Sequence, residues 1–307
     1  MKSVCLSILN YNGRHHLEYL LPTALDAVRQ YGPDARVMVL DNRSTDPDPQ
    51  WISQNFPEVE VVISPVNDFL FSYNWYASQI SEEIIIFLNN DLRLDLGFIA
   101  PLISHFTSSD VFAVSAASWD WDGKVKTSGP SRLRFKNGFY NWSYDTSRQE
   151  LCHTLFTSGG FMAVDRSKFI ELAGFNRLYH PAYCEDLDLC FRAWRKGWRS
   201  IYDPSSIVWH REHASWTSSG HAKTDMLSLR SSLLFQWSSL PLKRNRLIRY
   251  WSIFRLIAGS FITRNKLWSK EFPKTLLFWL KTRKYGKAMK INEADLELLN
   301  QAINKSV

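Results

Sequence analysis

The chain has 307 residues, 45% of them hydrophobic, which is enough to bury one substantial core, and its Gly and Pro contents point to neither a fibrous nor a low-complexity protein. Its net charge of +7 is unevenly spread: from Arg230 to Lys290 fifteen Lys/Arg stand against one acid, Glu271, so this segment carries +14 and the remainder about −7. The four cysteines include no CxxC pair, which argues against a zinc or disulfide framework and fits a reducing compartment, and no apolar run approaches the ~18 residues of a spanning helix.

Val4 to Leu9 reads as a buried strand, too short for a signal-peptide core, and ends at Asn10. Leu17, Leu20, Leu21, Ala24, Leu25 and Val28 then recur at helical spacing, while His15 and His16 read as surface residues. Ala35 to Leu40 is a second strand, ending at Asp41, and Val59 to Ile63 a third. A helix is predicted over Ser72 to Ser81, then the strand Ile84 to Leu88, which ends at Asn89-Asn90-Asp91. Asp95 reads as the N-cap of a helix over Gly97 to Phe106. Apolar strands separated by helices imply an α/β protein with a mostly parallel central sheet covered on both faces. Ligands of such sheets sit beyond the strands' carboxyl ends, here marked by Asn10, Asp41 and Asp91.

From Trp119 to Gln149 periodicity is lost, and the composition suggests hairpins and loops lying over the sheet. Phe161 to Val164 is again a strand, with Asp165 as a helix N-cap and Gly174 as a stop. A helix from Glu185 to Lys196 and two short strands, Arg199 to Tyr202 and Ile207 to Trp209, lead to His210. From Lys223 onward the pattern is helical, basic and aromatic. This divides the chain into a body, residues 1–222, and a basic helical extension, residues 223–307.

A carboxylate at a strand end, such as Asp41, can accept hydrogen bonds from a base or ribose, or can simply serve a turn. Asn10-Tyr11-Asn12-Gly13 has the same two readings. Asp91 could hold a divalent ion together with two phosphates, because Mg²⁺ takes one or two protein carboxylates plus substrate oxygens; the alternative is a capped turn. Glu185 and Asp186 open a helix, where they suit the macrodipole or act as a general base, and Asp188 is placed to pair with Arg192 at i+4. His210 could ligate a metal or be structural.

In order and spacing these pieces resemble glycosyltransferase family 2, the inverting GT-A family, and closely its bacterial surface-polysaccharide branch with rhamnosyltransferase-like and galactofuranosyltransferase-like members. The resemblance rests on Ser7-Ile8-Leu9-Asn10-Tyr11-Asn12, Val39-Leu40-Asp41-Asn42, Asn67 with Asn74, Leu88-Asn89-Asn90-Asp91, Ser158-Gly159-Gly160-Phe161, Gly174-Phe175-Asn176, Glu185-Asp186-Leu187-Asp188, Gly197 and His210, and spans Met1 to about Ser215. It implies a GT-A (Rossmann-like) fold in which Asn10, Tyr11 and Asp41 grip the nucleotide. Asn67, Asn74 and Asn90 would line the nucleotide-sugar pocket, and Gly159 and Gly160 would let backbone approach the sugars. Asp91 and His210 would hold Mg²⁺ or Mn²⁺, and Asp186 would be the catalytic base with Glu185 beside it. Besides Asn89, which stands at the first position of the DxD-like motif Asn89-Asn90-Asp91, two stretches depart from the family pattern: Asp68 replaces a usual Gly, and Asn176-Arg177 replaces a usual Asp-Glu.

The resemblance further implies a nucleotide-sugar donor, UDP- or dTDP-linked, and a glycan or lipid-linked glycan acceptor. Trp237, Trp251, Phe254, Trp268, Phe278 and Trp279 interleave with the basic residues of the extension. That pattern suits an amphipathic surface on the cytoplasmic face of an anionic membrane, or a helical cap on the body. A nucleic-acid partner is not expected, since the body is acidic and no nucleic-acid motif occurs. The rival reading is a non-catalytic nucleotide-sugar-binding or scaffold protein on the same fold.

Overall fold

The structure is a computed structural model and describes residues 1–211, 221–241, 246–262, 267–286, 291–305 and 307. The end of the resemblance, at Ser215, lies outside the described residues. In chain order the N-terminal elements are β1 (Val4–Asn10), α1 (Arg14–Tyr31), β2 (Ala35–Asp41), α2 (Asp48–Asn55), β3 (Glu60–Ile63), α3 (Ser72–Tyr76), β4 (Ile84–Asn89), β5 (Leu92–Leu94), α4 (Ile99–Ser104) and β6 (Val111–Asp120). They are followed by β7 (Ser131–Lys136), β8 (Phe139–Tyr144), β9 (Cys152–His153), β10 (Phe161–Asp165), α5 (Arg166–Glu171), α6 (Glu185–Arg195) and β11 (Arg199–His210). The last helices are α7 (His221–Ser239), α8 (Arg246–Ile262), α9 (Leu267–Gly286) and α10 (Glu293–Ile303).

The main sheet runs β3-β2-β1-β4-β10-β6-β11-β5, with β9 on β11. Strands β1 and β4 are mainly apolar and buried because both of their faces are covered. The parallel register of β1 with β2 sets Asn10 opposite Asp41 and that of β1 with β4 sets Leu9 opposite Asn89, so the polar ends of three strands meet at one edge. The N-terminal half of the sheet is parallel, as expected. Strand β10 then inserts antiparallel between β4 and β6, and Asn89 N–H donates to the Gly160 carbonyl at 2.8 Å. That insertion carries Gly159 and Gly160 to the same edge as Asn10.

One face of the sheet packs on α1 and α4 through residues such as Leu17, Leu20, Ile99 and Leu102. The other face packs on α6 and on helices of the extension: Leu234, Phe235, Leu296 and Ile303 join one apolar cluster with Phe87 and Phe191. The hairpin β7–β8 lies over this second layer, with Trp142 edge-on to Phe235 at 5.3 Å.

Local expectations divide. Asp165 caps α5, its side chain accepting from Lys168 N–H, and Asp188 pairs with Arg192 at 2.7 Å. The four cysteines are free and buried. The helix predicted over Ser72 to Ser81 is α3, five residues long; Ser78 Oγ donates to the Trp75 carbonyl at 2.7 Å and competes with the next turn. Asp95 does not cap α4, whose N-cap is Phe98; its carboxylate accepts from Gly97 N–H in a preceding turn. The two strands after Gly197 are one, β11, irregular between Asp203 and Ile207. His16 is buried rather than on the surface, because it shares the inward stripe of α1 with Leu20 and Ala24.

Candidate active site

A cleft of about 620 Å³ opens at the carboxyl edge of the sheet, a volume suited to a small-molecule ligand. Asn10, Tyr11, Asn67, Asn90, Asp91, Gly159, Gly160, Glu185, Asp186 and His210 all line it. The structure therefore brings ten of the twelve expected site residues to one cavity.

The other two stand behind it. Asp41 is 1% exposed. Its carboxylate is occupied by Ser44, whose N–H donates at 2.8 Å and hydroxyl at 2.6 Å, and by Asn10 Nδ2 at 3.2 Å. Asn74 brackets the backbone of Phe175, donating to its carbonyl at 2.8 Å and accepting from its N–H at 2.7 Å. Gly174, in the left-handed region at φ +65°, packs so closely that a Cβ there would lie 2.2 Å from Asn74 Oδ1. Asn74 thus shapes the turn beside the cleft.

The floor is a polar network. Asn90 Nδ2 donates to Asn10 Oδ1 at 3.0 Å, and Asn10 Nδ2 donates to Asp48 Oδ2 at 2.9 Å. Asp48, which sequence reasoning missed, also accepts from Gly13 N–H at 2.8 Å and so ties the β1–α1 turn to α2. Gly160 lies against Asn89, where a Cβ would meet the amide at 2.6 Å, so only glycine lets β10 pass there.

Glu185 and Asp186 begin α6 after two non-glycine residues in the left-handed region, Tyr183 (φ +73°) and Cys184 (φ +65°). Such conformations cost about 1–3 kcal/mol each and persist where surroundings enforce them. Here α7 does so: Ser231 Oγ donates to the Ala182 carbonyl at 3.0 Å and Arg230 Nη1 to the His180 carbonyl at 3.1 Å.

The two carboxylates have different surroundings. Asp186 Oδ1 accepts from Leu187 N–H at 2.7 Å and Oδ2 from Gly159 N–H at 3.3 Å. Glu185 Oε2 is buried without a hydrogen-bond partner among the described residues. Burial raises both carboxyls; Asp186's charge adds to the rise at Glu185, while the backbone donors oppose it at Asp186. Asp186 is accordingly the better-stabilised anion of the pair. Tyr144 of β8, unanticipated from sequence, bonds Ser158 through its hydroxyl and is close enough to Asp186 to feel its charge.

At the other end of the cleft His210 Nε2 stands 3.2 Å from Asp91 Oδ1. Arg211 N–H, donating to the Asp91 carbonyl at 3.0 Å, and the pairing of His210 with Leu92 hold them together. Among the described residues no group of three or more His, Cys, Asp or Glu is placed to hold a metal. One carboxylate beside one imidazole fits an ion that takes its remaining ligands from phosphate and water. Behind the pair runs a ladder of rings and guanidiniums: Arg93 lies 4.6 Å from the Trp209 ring and 5.0 Å from that of Trp121, and Arg211 lies 4.6 Å from Trp121 and 5.1 Å from Tyr19.

The departures from the family pattern at Asp68 and Arg177 meet. Arg177 grips Asp68 through two bonds, Nη2 to Oδ1 at 3.0 Å among them, and His180 Nε2 approaches the same carboxylate at 3.2 Å. This joins the loop bearing Asn67 and Phe69 to the loop bearing Pro181 and Tyr183, both of which line the cleft.

The sheet order, with a polar cleft at its carboxyl edge lined by Glu185, Asp186, Asp91 and His210, is that of the GT-A glycosyltransferase class. Residues 3–173 match the model of glycosyl transferase family 2, and the chain belongs to that family. It is 27% identical over 251 residues to the N-acetylglucosaminyl-diphospho-decaprenol L-rhamnosyltransferase of Mycobacterium tuberculosis, covering 70% of this chain and 80% of that one. Among solved structures it resembles GalNAc-T7 with UDP, GalNAc and Mn²⁺, at TM-score 0.60 and 15% identity over 78% of this chain and 48% of that one. It also resembles the mannosyltransferase PcManGT of Pyrobaculum calidifontis in complex with GDP-Man and Mn²⁺, at TM-score 0.55 and 16% identity over 77% and 63%. These two likenesses show the fold.

Proposed function

We propose that the chain is an inverting, metal-assisted glycosyltransferase that moves a sugar from a UDP- or dTDP-linked donor to a hydroxyl of a lipid-linked cell-surface glycan. The observation that carries this reading is the convergence of Glu185–Asp186 and Asp91–His210 on one cleft, from positions far apart in the chain. Asn10, Tyr11, Asn67 and Asn90 bind the nucleotide-sugar, with Asp41 and Asn74 supporting them from behind.

Asp186 accepts the proton of the acceptor hydroxyl as that oxygen attacks the anomeric carbon from the face opposite the nucleotide; a single displacement inverts the centre. The backbone N–H groups of Leu187 and Gly159 favour the ionised form of Asp186 against the burial that raises the carboxyl. Glu185, raised by burial and by Asp186's charge, stands beside it. Asp91 and His210 would hold Mg²⁺ or Mn²⁺, which when bound supplies positive charge against the diphosphate leaving group. Gly159 and Gly160 keep the wall opposite Tyr11 free of side chains. The exposed face of α8 meets the membrane, on its cytoplasmic side, while α7 and α10 cap the body. The lipid-linked acceptor is supported by the activity named for the mycobacterial relative.

The test is Asp186→Asn in a radiolabelled-donor transfer assay, with donor affinity measured by calorimetry. Turnover should fall by about 10²–10⁴-fold, the range for a lost general base, while donor affinity stays within a factor of two or three. Near-normal turnover in this variant sinks the assignment.

A further inference from the structure

A second cavity, about 850 Å³, lies away from the catalytic cleft between the β7–β8 hairpin, α7 and α8. Trp142, Leu233, Ile248, Trp251 and Trp268 line it together with polar residues such as Asn141, Gln236 and Ser252. Two cations, Lys136 and Arg255, line it, and no described lining residue is acidic. We infer that this groove binds the polyisoprenyl chain and diphosphate of a lipid-linked acceptor, an inference that rests on the lipid-linked reading above and deepens it.

Three observations carry the assignment. The first is charge and chemistry: an aromatic trough rimmed by a lysine and an arginine complements a long apolar chain ending in an anionic diphosphate. The second is continuity. Trp251 and Arg255 line the groove from α8, whose Leu247, Tyr250 and Phe254 are exposed, so the apolar surface that α8 would offer a bilayer adjoins the groove. The third is shared structure. The strand β8 that supplies Trp142 also supplies Tyr144, whose hydroxyl bonds Ser158 of the cleft, and the helix α7 that supplies Leu233 also holds the 180–182 backbone through Arg230 and Ser231. The groove is thus built partly from elements that also support the cleft.

The experiment uses the full chain and a farnesyl diphosphate probe, with inorganic diphosphate and phosphatidylglycerol vesicles as comparison ligands. Wild type should bind farnesyl diphosphate at least tenfold more tightly than inorganic diphosphate. Lys136→Glu and Arg255→Glu, both at exposed positions, should each weaken the probe at least fivefold, and Ser252→Trp should block it by filling the trough. A diazirine-bearing analogue should crosslink within 136–142, 228–236 or 248–256. Unchanged probe affinity in all three variants, or crosslinks confined to the outer faces of α8 and α9, overturns the proposal and leaves an ordinary membrane contact. Nucleotide-sugar binding with Mn²⁺, followed in the same variants, separates the two readings: its retention with loss of the probe supports the groove, whereas its absence in wild type sinks the glycosyltransferase reading without touching the groove measurement.

Discussion

At the residue scale, the Glu185–Asp186 pair links pH to both activity and stability. Glu185 has a folded pKa raised by burial and by Asp186, so the folded state binds more protons than the unfolded one. Stability from this group is fully present below its unfolded value, 4.5, and is lost as pH rises through the raised value. Glu185→Gln should therefore raise Tm by more at pH 8 than at pH 4, as followed by differential scanning calorimetry. Because Asp186 must be ionised to act, the rate should climb with pH. Its charge is one of the causes that push Glu185 up, so Asp186→Asn should lower the pKa of Glu185, as followed by NMR titration. A Glu185 pKa that stays in place would show that the two groups do not interact. The Asp68–Arg177 pair offers a second test. Asp68 is 11% and Arg177 64% exposed, so solvent screens the pair and its coupling should be about 1 kcal/mol or less in a double-mutant cycle. Arg177→Ala should loosen the cleft wall and raise donor KM more than it lowers kcat; an unchanged KM would make the pair irrelevant to the cleft.

At the scale of elements, the site is held by what flanks it. The ladder through Arg93, Trp121, Arg211 and Tyr19 lies beside His210, and each cation–ring contact is worth about 0.5–2 kcal/mol. Trp121→Ala removes the ring shared by both guanidiniums. It should weaken Mn²⁺-dependent donor binding severalfold while leaving metal-free nucleotide binding within twofold, measurable by calorimetry with and without the ion. Equal loss in both conditions would mean that the ladder supports the whole cleft. The α7 contacts to 180–182 act on the base instead. Elements of this kind were partly legible: β1, β2 and β4 are mainly apolar runs, broken by Ser7 and by Arg36 near the start of β2, that stop at polar residues, the pattern of parallel strands covered on both faces. The direction of β10 was not legible, because a short apolar strand carries no mark of which way its neighbours run.

At the scale of the molecule, the basic extension is both cap and surface. Leu233, Leu234 and Phe235 of α7 are buried in the main body, whereas Trp251 and Phe254 of α8 are 60% and 61% exposed and stack on each other at 5.7 Å. No described helix is long and apolar enough to cross a membrane. We expect the chain to co-sediment with phosphatidylglycerol vesicles, to do so less at high salt, and to lose roughly tenfold in partitioning on Trp251→Ala/Phe254→Ala. Equal binding to neutral vesicles at all salt concentrations would remove the electrostatic part of that expectation.

The sequence by itself determined the alternating α/β order, the strand-end positions of Asn10, Asp41 and Asp91, and the carboxylates that open α6, because each follows from local periodicity and from where an apolar run stops. Tertiary structure alone decided that Asp41 and Asn74 stand behind the cleft, that His16 is buried, that Tyr144 bonds Ser158 of the cleft, and that Asp68 finds Arg177. Each of these depends on which distant segment the chain packs against, and a contact between residues a hundred positions apart leaves no trace in the spacing of either one's neighbours.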